Sequence, residues 1–281
     1  MTEPPAQPDK HDLYERCVQS PAQLVPMLRA IHAGQRAAAA PASSRLTLAE
    51  DFAGTAALSY LWADASPDHH AIATDLDQPT LMRRPDHPRV TRIVADVRDI
   101  PAAAPANHAH HADICFVGNF SIGYLHTRAE LLDYLKSARA RLNPRGVFLC
   151  DTYGGESAFT LGEVHRDHPF PGGRRVRYTW EQRDANPLTG MVTDVLHFEI
   201  DRAGMIEHEL PDAFVYRWRL WSVPELLDAM HEAGFDATPV YDKDPDATDD
   251  DGNAYMLPVT GDGDLDDNFV VYVAGRVGAD G

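Results

Sequence analysis

Cysteine is scarce. Cys17, Cys115 and Cys150 are the only three in 281 residues, and their spacing matches neither a disulfide framework nor a metal-ligand pattern. Cys115 and Cys150 sit in apolar, strand-like runs and read as core residues. Positive charge is in deficit: 25 Lys and Arg stand against 43 Asp and Glu, a formal net charge of −18. That field repels polyanions, which argues against tight nonspecific nucleic-acid binding and leaves neutral or cationic small molecules as the easier ligands. Long apolar runs are missing as well. Nothing approaches ~18 consecutive apolar residues, so no membrane span is expected. Residues 1–10 lack an apolar signal core and are expected to form a disordered tail on a cytoplasmic protein. No internal repeat is visible.

Several motifs are present only in part, and each gap excludes a chemistry. The stretch 242–267 is rich in aspartate. With Asp249, Asp251 and Gly252 in register, however, a calcium loop would need an acid at Ala247 and a glutamate at Pro258. A solvated acidic loop is the reading that remains. Asn119-Phe-Ser121-Ile-Gly123 lacks the first glycine of a nucleophile elbow, which argues against a hydrolase. His108, His110 and His111 fall in an alanine-rich loop without ligand spacing, so no metal is expected. Gly54 lacks the spaced glycines of the dinucleotide fingerprint, which disfavours a nicotinamide enzyme.

What is present is an alternation of strand and helix signals. Residues 11–34 read as helix, with Ser20 as cap, Pro21 at a first helical position, a stripe of Leu24, Val25, Leu28 and Ile31, and Gly34 as stop. An Ala/Pro/Ser-rich connection follows at 35–44. Strands are predicted at 45–50, 70–75, 90–95, 113–118 and 147–151, and helices at 55–63 and 128–142. Thr127 caps the second of these helices, and Asn143-Pro-Arg-Gly146 reads as the turn after it. From 174 to 221 the period changes to two, with turns at 186–190 and 201–204, so an antiparallel meander interrupts the α/β order. The α/β pattern then resumes with Ser222 capping a helix at 223–232, a strand near 236–241 and a last strand at 268–276.

Three of the early strands end in acid. Leu46-Thr-Leu-Ala-Glu50-Asp leads into a turn of small residues, Ala-Ile-Ala-Thr-Asp75 closes the second strand, and Ile-Val-Ala-Asp96 closes the third. In a doubly wound sheet these carboxylates line the rim where ligands bind. Asp77 competes with Asp75 for a rim position, but Asp75 fits the strand end better. The first turn, Glu50-Asp-Phe52-Ala-Gly54-Thr-Ala56, together with Asp75, Asp96 and the run Pro-Arg-Gly-Val-Phe-Leu at 144–149, resembles class I S-adenosylmethionine-dependent methyltransferases of the small-molecule type. The resemblance covers 45–151 strongly and 222–276 in architecture. In that family the turn commonly reads acid-x-Gly-x-Gly-x-Gly; here Phe52 and Ala56 stand at the flanking glycine positions.

The resemblance implies a Rossmann-like, seven-stranded doubly wound α/β sheet with an antiparallel last strand, plus the inserted antiparallel β meander. It implies a core of 45–173 and 222–281, an N-terminal helical cap at 11–44 and a substrate lid at 174–221. The implied cofactor is S-adenosylmethionine. Gly54 would let the backbone approach its methionine moiety, and Glu50 would orient that loop or meet the amino group. Asp75 would accept from the ribose hydroxyls, Asp96 from the adenine amino group with Val97 near the ring, and Asn119 and Phe120 would sit beside the reactive methyl. Tyr14 and Gln19, on a cap that closes over the cofactor, would add contacts. The acceptor would be a small molecule methylated on N or O. Tyr153, Tyr178, Trp180, Glu181 and Arg217 are its candidate contacts, and His197 with Glu199 a possible acid/base pair. The alternative is a catalytically silent S-adenosylmethionine-binding module or partner subunit.

Overall fold

The computed structural model describes residues 8–19, 21–34, 45–100 and 111–279, with the side chain of Asp262 left aside. The tail at 1–7, the cap at Ser20, the connection at 35–44, and His108 and His110 lie outside the described residues. The chain divides into two units: Met1–Ser20 with Phe159–Leu220, and Pro21–Ala158 with Trp221–Gly281. Strands and helices are numbered below in chain order.

The larger unit holds seven strands: β1 (Leu46–Asp51), β2 (His69–Asp75), β3 (Val90–Val94), β4 (Ala112–Val117), β5 (Leu142–Gly155), β10 (Val240–Asp242) and β13 (Asn268–Arg276). They lie in the order β10-β13-β5-β4-β1-β2-β3. The run from β3 to β5 is parallel, and β13 is antiparallel to both β5 and β10. Burial on both faces explains why the central strands read as unbroken apolar runs. Leu48, Ile114, Phe116 and Leu149 join one cluster, while their chain neighbours Ala49, Cys115, Val117 and Cys150 join the other. The first cluster is completed by α2 (Pro21–Ala33) and α3 (Ala57–Asp64), and the second by α5 (Arg128–Ala140) and α6 (Val223–Glu232). Thr127 and Ser222 each close a capping box, with Glu130 and Glu225. A single turn, α4 (Gln78–Leu81), follows β2, and β11 (Ala247–Thr248) pairs with β12 (Ala254–Tyr255) in a small ribbon.

Two details differ from the sequence expectation. The residues 143–146 do leave the strand path, but within β5: Leu142 pairs with Ala112 and Val147 with Ile114, so the segment bulges opposite Asp113. Asp113 fills the bulge, accepting from Asn143 Nδ2 at 3.0 Å and from the Thr47 amide at 2.7 Å. The segment 11–34 is not one cap helix either. The stripe of α2 packs on the sheet face beside Trp62, with Leu28 and Ile31 each 1% exposed, and is part of the larger unit's core. Leu28→Ala should therefore cost about 2–4 kcal/mol, the usual penalty for a buried leucine truncation. Urea unfolding measures it; a loss below about 1 kcal/mol would mean α2 is dispensable to that core.

The smaller unit is a four-stranded antiparallel sheet, β6 (Gly162–Phe170), β7 (Arg174–Asn186), β8 (Met191–Arg202) and β9 (Met205–Arg219), with α1 (Lys10–Cys17) packed on it. The insert thus begins before 174: β6 is an added edge strand. Val176, Tyr178 and Trp180 on β7 face Ile200, Phe198 and Leu196 on β8, and Leu13 and Cys17 of α1 close over this apolar face. Ala203 and Gly204, with φ of 52° and 83°, make the two-residue turn between β8 and β9.

Candidate functional site

The strand order reverses between β1 and its neighbours, with β2 on one side and β4 on the other. The carboxyl ends of β1 and β4 therefore flank the switch point, where open α/β sheets bind ligands. Alternation along β1 sends its last two carboxylates to opposite faces. Glu50 turns towards α3, where Oε2 accepts from the Ser59 amide at 2.9 Å and the Ser59 hydroxyl at 2.6 Å. It caps a helix whose own N-cap, Ala56, has no side-chain acceptor. Asp51 turns towards α5 and is fully enclosed: Arg141 Nη2 lies 2.5 Å from Oδ2 and Tyr134 donates its hydroxyl at 2.7 Å.

Between β1 and α3 the backbone is left-handed at alternate residues, with φ of 56° at Phe52, 54° at Gly54 and 58° at Ala56. These are the three positions at which the resembling motif carries glycine. Phe52 and Ala56 hold the glycine-like path at a cost of about 1–2 kcal/mol each. The loop is pinned by its surroundings. The Ala53 amide donates to Thr74 O at 2.9 Å, and the Gly54 amide to Asp75 Oδ2 at 2.7 Å. A Cβ built on Gly54 would meet no atom within 4 Å, so the backbone there is open to close approach.

Asp75 spends its other oxygen on the Asp77 amide, at 2.8 Å. Asp77 instead caps α4 and accepts from the Thr80 hydroxyl at 2.7 Å, which leaves Asp75 as the carboxylate at the rim. Leu76 beside it is 70% exposed, an apolar surface at the mouth of the site that sequence reasoning passed over. Asp96 is otherwise engaged than expected. Arg98 grips it through Nε and Nη2, at 2.9 and 2.6 Å, and holds its carboxyl below the usual range. Val97 belongs to the core against α5, 3% exposed, so it offers no ring contact at the rim.

At the end of β4, Asn119 and Phe120 are consecutive left-handed residues, φ 55° and 61°. Both amides donate to one side chain, Asp151 on β5, at 2.8 and 2.7 Å. The Phe120 ring meets Tyr153 edge-on with centroids 5.0 Å apart, and Phe52 stacks on Tyr124 at 5.8 Å. Asp151 and Tyr124 lie here too and were not singled out by the sequence, which marked Phe52 only as standing at a glycine position.

Burial pushes both Glu50 and Asp151 up to about 7. A carboxyl that ionises more readily in the unfolded chain destabilises the fold as pH rises from about 4 through 7. Glu50→Gln keeps an acceptor for Ser59 and removes that penalty. The variant should match the wild type near pH 4 and exceed it by roughly 3 kcal/mol at pH 8. Urea melts at the two pH values read this directly, and a constant difference would mean that Glu50 does not titrate in that window.

In the smaller unit, Tyr14 packs its ring on Phe214 at 5.1 Å. Gln19 Oε1 is buried and has no hydrogen-bond partner among the described residues. Tyr178 is 7% exposed within the sheet's apolar face, where burial pushes its hydroxyl up. Trp180 is half-buried on the same face, and Arg217 is exposed on β9. Glu181 is held by Arg183 at 2.7 Å and by His197 at 3.0 Å. His197 Nδ1 accepts from the Asp212 amide at 3.0 Å, so Nε2 carries the proton and donates to Glu181. With both nitrogens occupied, His197 forms no acid/base pair with Glu199, which lies opposite Arg177 and Glu209. Among the described residues no group of His, Cys, Asp and Glu is placed to hold a metal ion.

No protein-family model and no curated protein matches this chain. Solved structures do. An amino pentose methyltransferase from Micromonospora echinaspora, involved in calicheamicin biosynthesis and solved with S-adenosylmethionine, aligns at TM-score 0.64 and 17% identity, covering 95% of this chain and 96% of that one. DesVI from Streptomyces venezuelae aligns at 0.65 and 17% identity, covering 97% and 100%. A sugar N-methyltransferase from Streptoalloteichus sp. ATCC 53650 aligns at 0.61 and 18% identity, covering 97% and 94%. The chain has the fold of S-adenosylmethionine-dependent methyltransferases.

Proposed function

We propose that this protein is an S-adenosylmethionine-dependent methyltransferase that transfers a methyl group to N or O of a small-molecule acceptor. The observation that carries this reading is the loop at the switch point. It is left-handed at all three glycine positions of the motif, tied to Asp75, and open at Gly54. Phe52 and Ala56, which kept a silent binding module in view, preserve the backbone path and give no ground for it. The solved relatives with methyltransferase titles support the same reading.

The residues present fit the cofactor. Gly54 offers backbone without a Cβ. Asp75 retains lone pairs for ribose hydroxyls beyond the two it gives to amides. Leu76 offers an apolar surface to the base. Glu50 gives Oε2 to Ser59, and its carboxylate, when ionised, would attract an ammonium group. Bound there, S-adenosylmethionine would supply a methyl already activated on a sulfonium. Phe52, Tyr124, Phe120 and Tyr153 would exclude water and favour a cation. Of the acceptor candidates on the inserted sheet, Tyr178 is core and Glu181 is ion-paired, and alternation puts Trp180 on the face covered by α1 and Arg217 on the opposite face, so Trp180 and Arg217 do not share one pocket. A small neutral or cationic acceptor agrees with the acidic charge balance. No helix among the described residues is long and apolar enough to cross a membrane.

Calorimetry tests the assignment. S-adenosylmethionine and S-adenosylhomocysteine should bind with about micromolar affinity, roughly −8 kcal/mol, while NADH gives no heat. Saturable NADH binding without S-adenosylmethionine binding would reverse it. Incubation with methyl-labelled cofactor and host metabolite extracts would then identify the acceptor.

A further inference from the structure

We infer that Asp151 is a positioning residue of the transfer reaction: its carboxylate clamps Asn119 and Phe120 in the left-handed shape that sets the β4 loop beside the reacting centre. The inference rests on the function proposed above. Three observations meet at this point. Asn119 and Phe120 are adjacent non-glycine residues with φ of 55° and 61°, an arrangement that L-residues adopt only when the surroundings impose it. Both amides point to a single carboxylate, one to each oxygen, at 2.8 and 2.7 Å. That carboxylate sits on the neighbouring parallel strand and is 8% exposed, so water does not compete for it.

The geometry explains why an acid stands there. Two convergent N–H donors call for two acceptors 2.2 Å or so apart, which a carboxylate supplies and an amide does not. Glycines at 119 and 120 would take the same φ without steric cost, but they would leave the loop free to relax and would remove the ring that meets Tyr153. The chain instead combines strained residues with a buried clamp. Strain of this kind persists where a loop must hold one shape, and this loop lies across the switch point from Gly54. The carboxylate itself is turned into its own backbone cradle, which separates its role from that of a base. It acts through Asn119 and Phe120.

Asp151→Asn puts an NH2 donor against one of the two amides. Hydrogen exchange read by mass spectrometry or NMR should show protection of the Asn119 and Phe120 amides falling at least about tenfold, with Ile114 to Phe116 in β4 unchanged. S-adenosylhomocysteine affinity, measured by calorimetry, should stay within about threefold, while kcat for S-adenosylhomocysteine release drops about thirtyfold or more at nearly constant acceptor KM. If Asp151→Asn does not fold, the same measurements are made on Asp151→Asn combined with Asn119→Gly, where glycine carries the positive φ freely. Unchanged protection at 119 and 120 overturns the clamp. Protection lost across β4 and β5 together, or a proportionate fall in cofactor affinity, assigns Asp151 a structural role and overturns the positioning. A wild-type protein that binds neither nucleotide overturns the proposed function, and the positioning role falls with it, whatever the exchange data show for the loop.

Discussion

Asp75→Ala is expected to weaken S-adenosylmethionine binding about thirtyfold to a hundredfold, roughly 2–3 kcal/mol. The side chain does two things that alanine cannot. It accepts from the Gly54 amide at 2.7 Å, holding the open point of the β1–α3 loop, and from the Asp77 amide at 2.8 Å. It also presents the remaining lone pairs of a charged acceptor at the strand end. Hydrogen bonds to a charged partner carry about 1.5–3 kcal/mol each. Calorimetry on the folded variant is the measurement. Asp75→Asn, which keeps one carbonyl acceptor, should lose less. Wild-type affinity in Asp75→Ala would remove this residue from the site and leave it as a turn former after β2.

The second large effect is on stability. Arg141→Met should destabilise the larger unit by about 3–5 kcal/mol, because it removes the partner of the buried Asp51 side chain. Arg141 and Asp51 are 4% and 1% exposed, and their two contacts measure 2.5 and 3.2 Å. Asp51 also accepts from the Tyr134 hydroxyl, and the Cys115 thiol lies 3.7 Å away with its ionisation pushed up by burial. A double change, Asp51→Leu with Arg141→Met, should recover most of the loss, since a buried pair replaced by apolar groups of similar volume is often neutral. Urea unfolding of the four members of the cycle decides it. Equal damage from single and double changes would show that the two groups do not compensate each other.

The parts of the fold that were legible in the sequence share a physical cause. Thr127 with Glu130 and Ser222 with Glu225 write helix starts locally, and both boxes form. The central strands of the doubly wound sheet, β1, β4 and the 147–151 part of β5, are legible because both faces are buried and their runs are largely apolar. β6 was not, because most of its residues are exposed and no alternation is left to see. Pro21 marks the start of α2 in the sequence, but the assignment of α1 and α2 to different units is not legible, because an apolar stripe does not say which sheet receives it. At the site, Gly54 and Asp75 follow from strand-end acids and turn chemistry. The sequence does not show that Asp96 is paired with Arg98, two residues on. Asp151 had no local signal at all: its meaning lies in two amides 31 and 32 residues away. Backbone shape was also invisible, because phenylalanine and alanine are poor witnesses to a positive φ.

The smaller unit is assembled from two separate stretches of the sequence, 1–20 and 159–220, and this limits how it can be exchanged between proteins. Its apolar face is closed by Leu13 and Cys17, fully or nearly fully buried against β7 and β8, while α2, a few residues later, already belongs to the other core. A graft of 159–220 alone would arrive with Val176, Tyr178, Phe198 and Ile200 uncovered, a surface prone to aggregation. The transferable module is therefore a two-piece cassette, α1 together with the sheet. A transplant of this unit must cut at three joints, near residues 20, 158 and 220, to carry the sheet and its cover as one inheritance.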